Sequence, residues 1–198
     1  METSSEGYEM SEAIRLHLGC GHRPLPNFIN IDQDPLEHVD HVLDIKDLSI
    51  FEDNSVDEIY CCGVVVYFDR FQVKDVLKEW RRVLKIGGKL RISIADFEKM
   101  VQVYLNSGKV LESRGILGPL FGRWEITEDE KSKIIYQTTT YDFKSLEKVL
   151  IDCGFSSVER YDWRDFLPEG FDDYSRAYIP HMDETGLHLS LNVVCEKI

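Results

Sequence analysis

The sequence predicts an α/β domain built on a doubly wound sheet. Three observations carry that prediction. Strand-like runs alternate with helical stripes along the chain. The first strand runs directly into a glycine turn, Gly19-Cys20-Gly21. The next two strands each close on a carboxylate, Asp32 and Asp44. The chain has 198 residues, 43% hydrophobic and 30% charged, which suits one folded domain with a substantial core.

Residues 1–13 read as a polar, acidic arm without the basic start and apolar run of a signal peptide. Residues 14–198 read as a single domain, with no repeat, low-complexity tract or linker. In Ile14-Arg15-Leu16-His17-Leu18, apolar and polar residues alternate with the period of a strand. Gly19 and Gly21 then give the backbone freedom to turn and to let a ligand come close. Phe28–Asp32 reads as the second strand. Parallel neighbours ordinarily need a crossover of about a dozen residues or more. Here a short segment carrying Pro24 and Pro26 is all that intervenes. Pro26-Asn27 suits the centre of a type II turn, so the first crossover helix is expected to shrink to a turn.

His41–Asp44 reads as a short third strand and Val56–Cys62 as the fourth. Val73, Val76, Leu77, Trp80, Val83 and Leu84 follow helical spacing. That helix is expected to stop at Gly87-Gly88, with Lys85 near its negative C-terminal end. Lys89–Asp96 alternates cleanly as the fifth strand. Phe97, Met100, Val101, Tyr104 and Leu105 begin another helix, and glycines interrupt the chain beyond it. The stretch from about 98 to 141 is long for a connection, which predicts a lid or binding loop. Phe171–Asp183 is a second loop of that kind. Phe143, Leu146, Val149, Leu150 and Cys153 make a further helical stripe, with Asp142 as N-cap and Gly154 as stop. Val158–Tyr161 is the sixth strand, and Leu187–Cys195 the last.

Net charge is -13, which disfavours a phosphate backbone as partner, because that binding relies on Lys and Arg. The five cysteines are odd in number and show no metal-ligand spacing, so reduced thiols and no metal are expected. No apolar run reaches membrane-spanning length. These features together predict a cytoplasmic protein.

The glycine turn alone is a weak signal. It lacks the third glycine of the dinucleotide fingerprint, and no helix is expected after it to cradle a pyrophosphate. A tight turn is the plain alternative. The acids change the balance, because ligands of open α/β sheets lie across the carboxyl ends of the strands. A carboxylate there can accept both ribose hydroxyls, and a second can accept from an adenine amino group. Either aspartate alone reads as a solvated loop acid. With the turn, the set describes a nucleoside site without a phosphate cradle.

The motifs Leu18-Gly19-Cys20-Gly21, Leu25–Asp32, Phe51–Tyr60 and Glu79–Ile92 resemble those of class I S-adenosylmethionine-dependent methyltransferases. Tyr161–Arg164 and Ala177–Asp183 resemble one small single-domain subgroup, often found with sugar and cell-surface polysaccharide genes. The resemblance implies a Rossmann-like, mostly parallel seven-stranded sheet with the last strand antiparallel. It implies S-adenosylmethionine as cofactor. Gly19, Cys20 and Gly21 would then line its methionine part, and Asp32 would hold the ribose hydroxyls. Asp44 and the backbone of Ile45 would meet adenine, and Cys62 and Gly63 would lie near the methionine moiety.

The implied activity is O-methylation of a sugar or other small metabolite. The subgroup typically carries a segment like His-Val-Leu-Glu-His after the fourth strand, where this chain has Gly63-Val64-Val65-Val66-Tyr67. That departure motivates a second expectation, a catalytically silent S-adenosylmethionine-binding partner protein. Asn27 stands where Gly is usual and Ile86 where Pro is usual; the backbone tolerates both. A hydroxyl nucleophile gains from a general base. Candidates are Asp96, Tyr67 and His181. Each has a structural alternative: a helix cap, a packing aromatic and a turn residue, respectively. Trp124, Tyr136 and Trp163 read either as core or as walls of a substrate site.

Overall fold

A computed structural model describes residues 13–108, 116–128, 131–180 and 183–198. Nearly all of the expected N-terminal arm, and His181, fall outside these residues. The chain runs β1 (Arg15–Leu18), β2 (Ile29–Asp32), β3 (His41–Val42), β4 (Val56–Cys62), α1 (Gln72–Val83), β5 (Leu84–Ala95) and α2 (Phe97–Asn106). It continues through α3 (Leu117–Phe121), β6 (Trp124–Glu128), β7 (Lys131–Ile135), α4 (Phe143–Asp152) and β8 (Phe155–Arg160). It closes with β9 (Tyr178–Ile179), β10 (Leu187–His188) and β11 (Ser190–Lys197). Seven strands form the main sheet in the order β3-β2-β1-β4-β5-β11-β8. β11 runs antiparallel to both of its neighbours, and the other six are parallel to one another. This is the Rossmann-like arrangement the sequence implies.

Strand pleat sorts the core into two sides. Leu16, Leu18, Ile59 and Cys61 join the main cluster with Val76, Leu77 and Trp80 of α1 and Leu146 and Leu150 of α4. The alternate positions face the other way. Tyr60 gathers with Leu25 and Leu167, and Phe28, Cys62, Trp163, Phe166 and Phe171 pack around them. Over β1 and β4, that second side is therefore covered by loop and turn residues where a doubly wound sheet would ordinarily carry a helix.

The short link between β1 and β2 is a turn, as its prolines predict. Asn27 sits at φ 65, and the Phe28 N–H reaches the Leu25 carbonyl at 3.4 Å. The buried Asn30 side chain fastens the link. It accepts from Leu25 N at 2.8 Å and donates to the carbonyls of Leu25 and Phe28 at 3.3 and 3.1 Å. Asp142 caps α4 as expected, accepting from Ser145 N at 2.8 Å, and the Ser145 hydroxyl accepts from the Asp142 N–H to complete a capping box.

Three expectations change. The first helix stops at Val83, not at the glycine pair, because Leu84 turns extended (φ -63, ψ 139) to pair with Val56 of β4. Gly87 and Gly88 instead sit inside β5, in the irregularity that lets Leu84 pair with Val56 and Lys89 with Glu58. Lys85 holds Asp57 at 2.6 Å rather than the helix end. The last strand is two pieces: β10 pairs with β9, and β11 alone enters the main sheet. The 98–141 stretch is not coil throughout. Besides α2 and α3 it carries the antiparallel hairpin β6–β7.

Candidate functional site

Four parallel strands deliver their carboxyl ends to one side of the sheet, in the order β3, β2, β1, β4. A cleft of about 390 Å³ lies there. Gly19, Cys20 and Gly21 follow β1; Asp32 ends β2; Asp44 and Ile45 follow β3; Cys62 and Gly63 close β4. All eight of these sequence-predicted residues line the cleft.

The glycine turn is held from both sides. Gly19 and Cys20 donate to the Ile31 carbonyl at 2.8 and 3.2 Å. Gly21 donates to Asp32 Oδ2 at 2.8 Å, and its carbonyl faces His38 Nε2 at 2.6 Å. Gly19 lies at φ +67, and a Cβ there would stand 2.5 Å from Val64 Cγ2. The position thus excludes any side chain on two grounds. Asp32 Oδ1 accepts from Asp34 N at 3.0 Å. A carboxylate has about four acceptor positions, so two bonds leave Asp32 further capacity toward the cleft.

Asp44 Oδ1 accepts from Lys46 N at 3.0 Å, and Lys46 Nζ stands 2.9 Å from Oδ2. Both side chains are substantially exposed, so this pair positions more than it stabilises. The Ile45 carbonyl is taken by the buried Trp80 indole N–H at 2.8 Å, which ties the β3 end of the cleft to α1. Gly63, at φ +72, donates to the Ser93 carbonyl at 2.7 Å. Burial, then the nearby Asp32 carboxylate, pushes the Cys20 thiol up to about 12. Burial also raises Cys62. Both remain thiols near neutral pH and are walls rather than nucleophiles.

The proposed bases separate. Tyr67 lines the cleft from the 3-10 turn Val65–Tyr67, and burial followed by Tyr174 raises its phenol. It therefore stays a neutral phenol there. Asp96 is fully buried but not part of the cleft lining. It caps α2 by accepting from Glu98 N at 3.0 Å and meets Arg160 Nη1 at 3.1 Å. His181 is outside the described residues.

The structure adds residues that the sequence reading passed over as site members. His17, from the middle of β1, lines the cleft although it is only 2% exposed. Asp173 and Tyr174 arrive from the 171–183 loop, and Ile126, Lys133 and Ile135 from the β6–β7 hairpin. Trp124, one of the wall aromatics, comes with the same hairpin; a side chain at Gly21 would meet its ring at 3.6 Å. The alternation Trp124, Ile126 and then Lys133, Ile135 is a signal from which the hairpin could have been found. Tyr136 and Trp163 do not line the cleft.

Residues 16–92 match the model of a methyltransferase domain. No curated protein sequence matches the chain. Solved structures share its fold at low sequence identity. An S-adenosylmethionine-dependent methyltransferase from Clostridium acetobutylicum is 16% identical, with 94% of this chain and 84% of that one covered and a TM-score of 0.54. One from Archaeoglobus fulgidus is 11% identical over 93% and 86%, with a TM-score of 0.53. One from Methanosarcina mazei is 16% identical over 96% and 94%, with a TM-score of 0.51. The matched segment spans β1 through most of β5 and so contains every cleft residue that the sequence nominated for a cofactor.

Proposed function

We propose that the protein transfers a methyl group from S-adenosylmethionine to a hydroxyl of a small metabolite, with sugars the leading class. The observation that supports this reading is the meeting of Asp32, Asp44 and the Gly19–Gly21 turn in one cleft. Its volume of about 390 Å³ falls in the range of about 300–1,000 Å³ usual for small-molecule sites. The donor set fits the cofactor. Asp32 has acceptor capacity left for ribose hydroxyls, and Asp44 and Ile45 stand one strand further out for the base. No helix directly succeeds the glycine turn among the described residues, so the site suits a nucleoside with an amino-acid tail better than a pyrophosphate.

Bound there, S-adenosylmethionine would be held by Asp32, Asp44 and the Gly19–Gly21 turn and would supply an activated sulfonium methyl for an acceptor hydroxyl. The chain's own residues align and enclose. Gly19 brings backbone close to the ligand. Trp124, Ile126 and Ile135 place apolar surface over the cleft, which excludes water and strengthens electrostatic contacts inside. On this reading the 98–141 stretch serves as the lid. Tyr67 offers a neutral hydroxyl to orient the acceptor.

A net charge of -13 favours a small acceptor over nucleic acid. All five cysteines are free, which suits a cytoplasmic protein, and no helix among the described residues is long and apolar enough to cross a membrane. The test is calorimetric titration with S-adenosylmethionine, then methyl-transfer assays on nucleotide sugars and other hydroxylated metabolites. Binding with turnover on a hydroxyl acceptor is expected. Binding without turnover across a broad panel would sink the transferase reading, and no binding would sink the cofactor site as well.

A further inference from the structure

Asp173 brings a buried negative charge to the cleft from outside the 16–92 match. It is 8% exposed and lines the cavity. Its Oδ2 accepts the Tyr60 hydroxyl at 2.5 Å, and its Oδ1 accepts the Ser175 N–H at 2.8 Å. Both donors are neutral. No lysine or arginine among the described residues forms an ion pair with Asp173; the adjacent Asp172 takes Arg176, at 4.0 Å. An ionised carboxylate out of water is costly unless a cation meets it. Two hydrogen bonds also leave about half of its acceptor positions open.

Its place along the cleft says which cation. Tyr60 lies two residues before Cys62 on β4, on the same face of the strand. The ring of His17, on the neighbouring β1, is 5.2 Å from that of Tyr60. Asp173 is therefore at the β4 end, whereas Asp44 and Asp32 are at β3 and β2. Three strand spacings, about 14 Å, separate the two ends. With the nucleoside at the Asp32–Asp44 end, the amino-acid tail extends toward β4.

We infer that Asp173 binds the ammonium group of the methionine tail of S-adenosylmethionine. The inference rests on the cofactor site proposed for this cleft and adds a residue to it. By fixing the far end of the ligand, the Tyr60–Asp173 pair also ties the adjacent Tyr174 to the occupied state of the cleft.

The test is calorimetric titration with three probes. They are S-adenosylhomocysteine, its analogue lacking the α-amino group, and 5′-methylthioadenosine, which lacks the tail. Wild type is expected to bind the des-amino analogue about tenfold more weakly than S-adenosylhomocysteine, the loss of one charge-assisted contact. Asp173→Asn is expected to bind S-adenosylhomocysteine about tenfold more weakly, to bind 5′-methylthioadenosine as wild type does, and to lose the discrimination. Tyr60→Phe, which keeps the charge, is expected to keep the discrimination. Equal binding of the first two probes by wild type overturns the inference without any variant. So does an Asp173→Asn protein that weakens all three probes alike, the signature of a purely structural role. Failure of wild type to bind 5′-methylthioadenosine and S-adenosylhomocysteine alike is a failure of the cofactor site itself.

Discussion

Gly19→Ala tests whether the glycine turn is built as described. The perturbation has two separable parts. Alanine at φ +67 occupies the left-handed region, which costs about 1–2 kcal/mol for an L-residue. The new methyl would also stand 2.5 Å from Val64 Cγ2, well inside contact distance. Relieving such overpacking costs about 1–3 kcal/mol. Together these give about 2–5 kcal/mol, and at about 2–4 °C per kcal/mol for a chain of this size the melting temperature should fall by roughly 10 °C. Val64→Ala removes the opposing methyl. In the double variant the packing part should be recovered while the backbone part persists, a coupling of about 1–3 kcal/mol in a double-mutant cycle. Thermal and urea melts of the four proteins measure it, and titration with S-adenosylhomocysteine should show weakened binding in Gly19→Ala. A melting temperature unchanged in Gly19→Ala, or additivity of the two substitutions, would refute the reasoning.

Asp32→Ala should leave the protein folded yet weaken cofactor binding by about a hundredfold, the loss of two charge-assisted hydrogen bonds of about 1.5 kcal/mol each; unchanged affinity in calorimetry removes Asp32 from the site. His17 makes stability depend on pH. Burial, only partly opposed by Asn30 and by the Asp173 charge, lowers its imidazole from 6.5 to about 4. The unfolded chain therefore binds a proton that the folded chain refuses between those values. Stability should be fully present above pH 6.5 and fall by up to about 3 kcal/mol as pH drops to 4. Urea melts across that window should show a shallower decline for His17→Gln; parallel curves would dismiss the effect. Lys197 is 7% exposed and donates to Asn54 Oδ1 and to the carbonyls of Arg82 and Leu84, at 2.8, 3.2 and 2.8 Å. Lys197→Met strands those carbonyls and should destabilise by about 2–3 kcal/mol in the same melts.

Local chemistry was legible in the sequence and distant pairing was not. Asp142 and Ser145 are three residues apart, so the cap of α4 shows in the chain itself. So does the Asn27 turn, because proline fixes one dihedral and asparagine tolerates the other. The residues that line the β3–β4 side of the cleft were legible for the same reason: each sits at the end of its own strand. The glycine pair at 87–88 misled because glycine serves a helix stop and a strand irregularity equally well. Its use here is decided by pairing with β4, about thirty residues away in sequence. The Tyr60–Asp173 contact spans 113 positions and leaves no trace in either neighbourhood. The β6–β7 hairpin is marked only faintly: Trp124 and Ile126 alternate with Glu125 on one strand, while on the other Lys133 shares the cleft face with Ile135.

The helix-free link between β1 and β2 bears on how the molecule is assembled. All four strands that carry the residues proposed for the cofactor have been synthesised by Cys62, and β5 by Ala95. Yet the side of β1 and β4 that a crossover helix would shield remains uncovered then. Leu25, Tyr60 and Cys62 receive their cover from Trp163, Phe166, Leu167 and Phe171, about a hundred residues later. A growing chain must therefore hold a wet, apolar sheet face until those residues emerge, the kind of intermediate that invites association with other chains. The cover of the β1–β4 face is thus made about a hundred residues after the strands it shields.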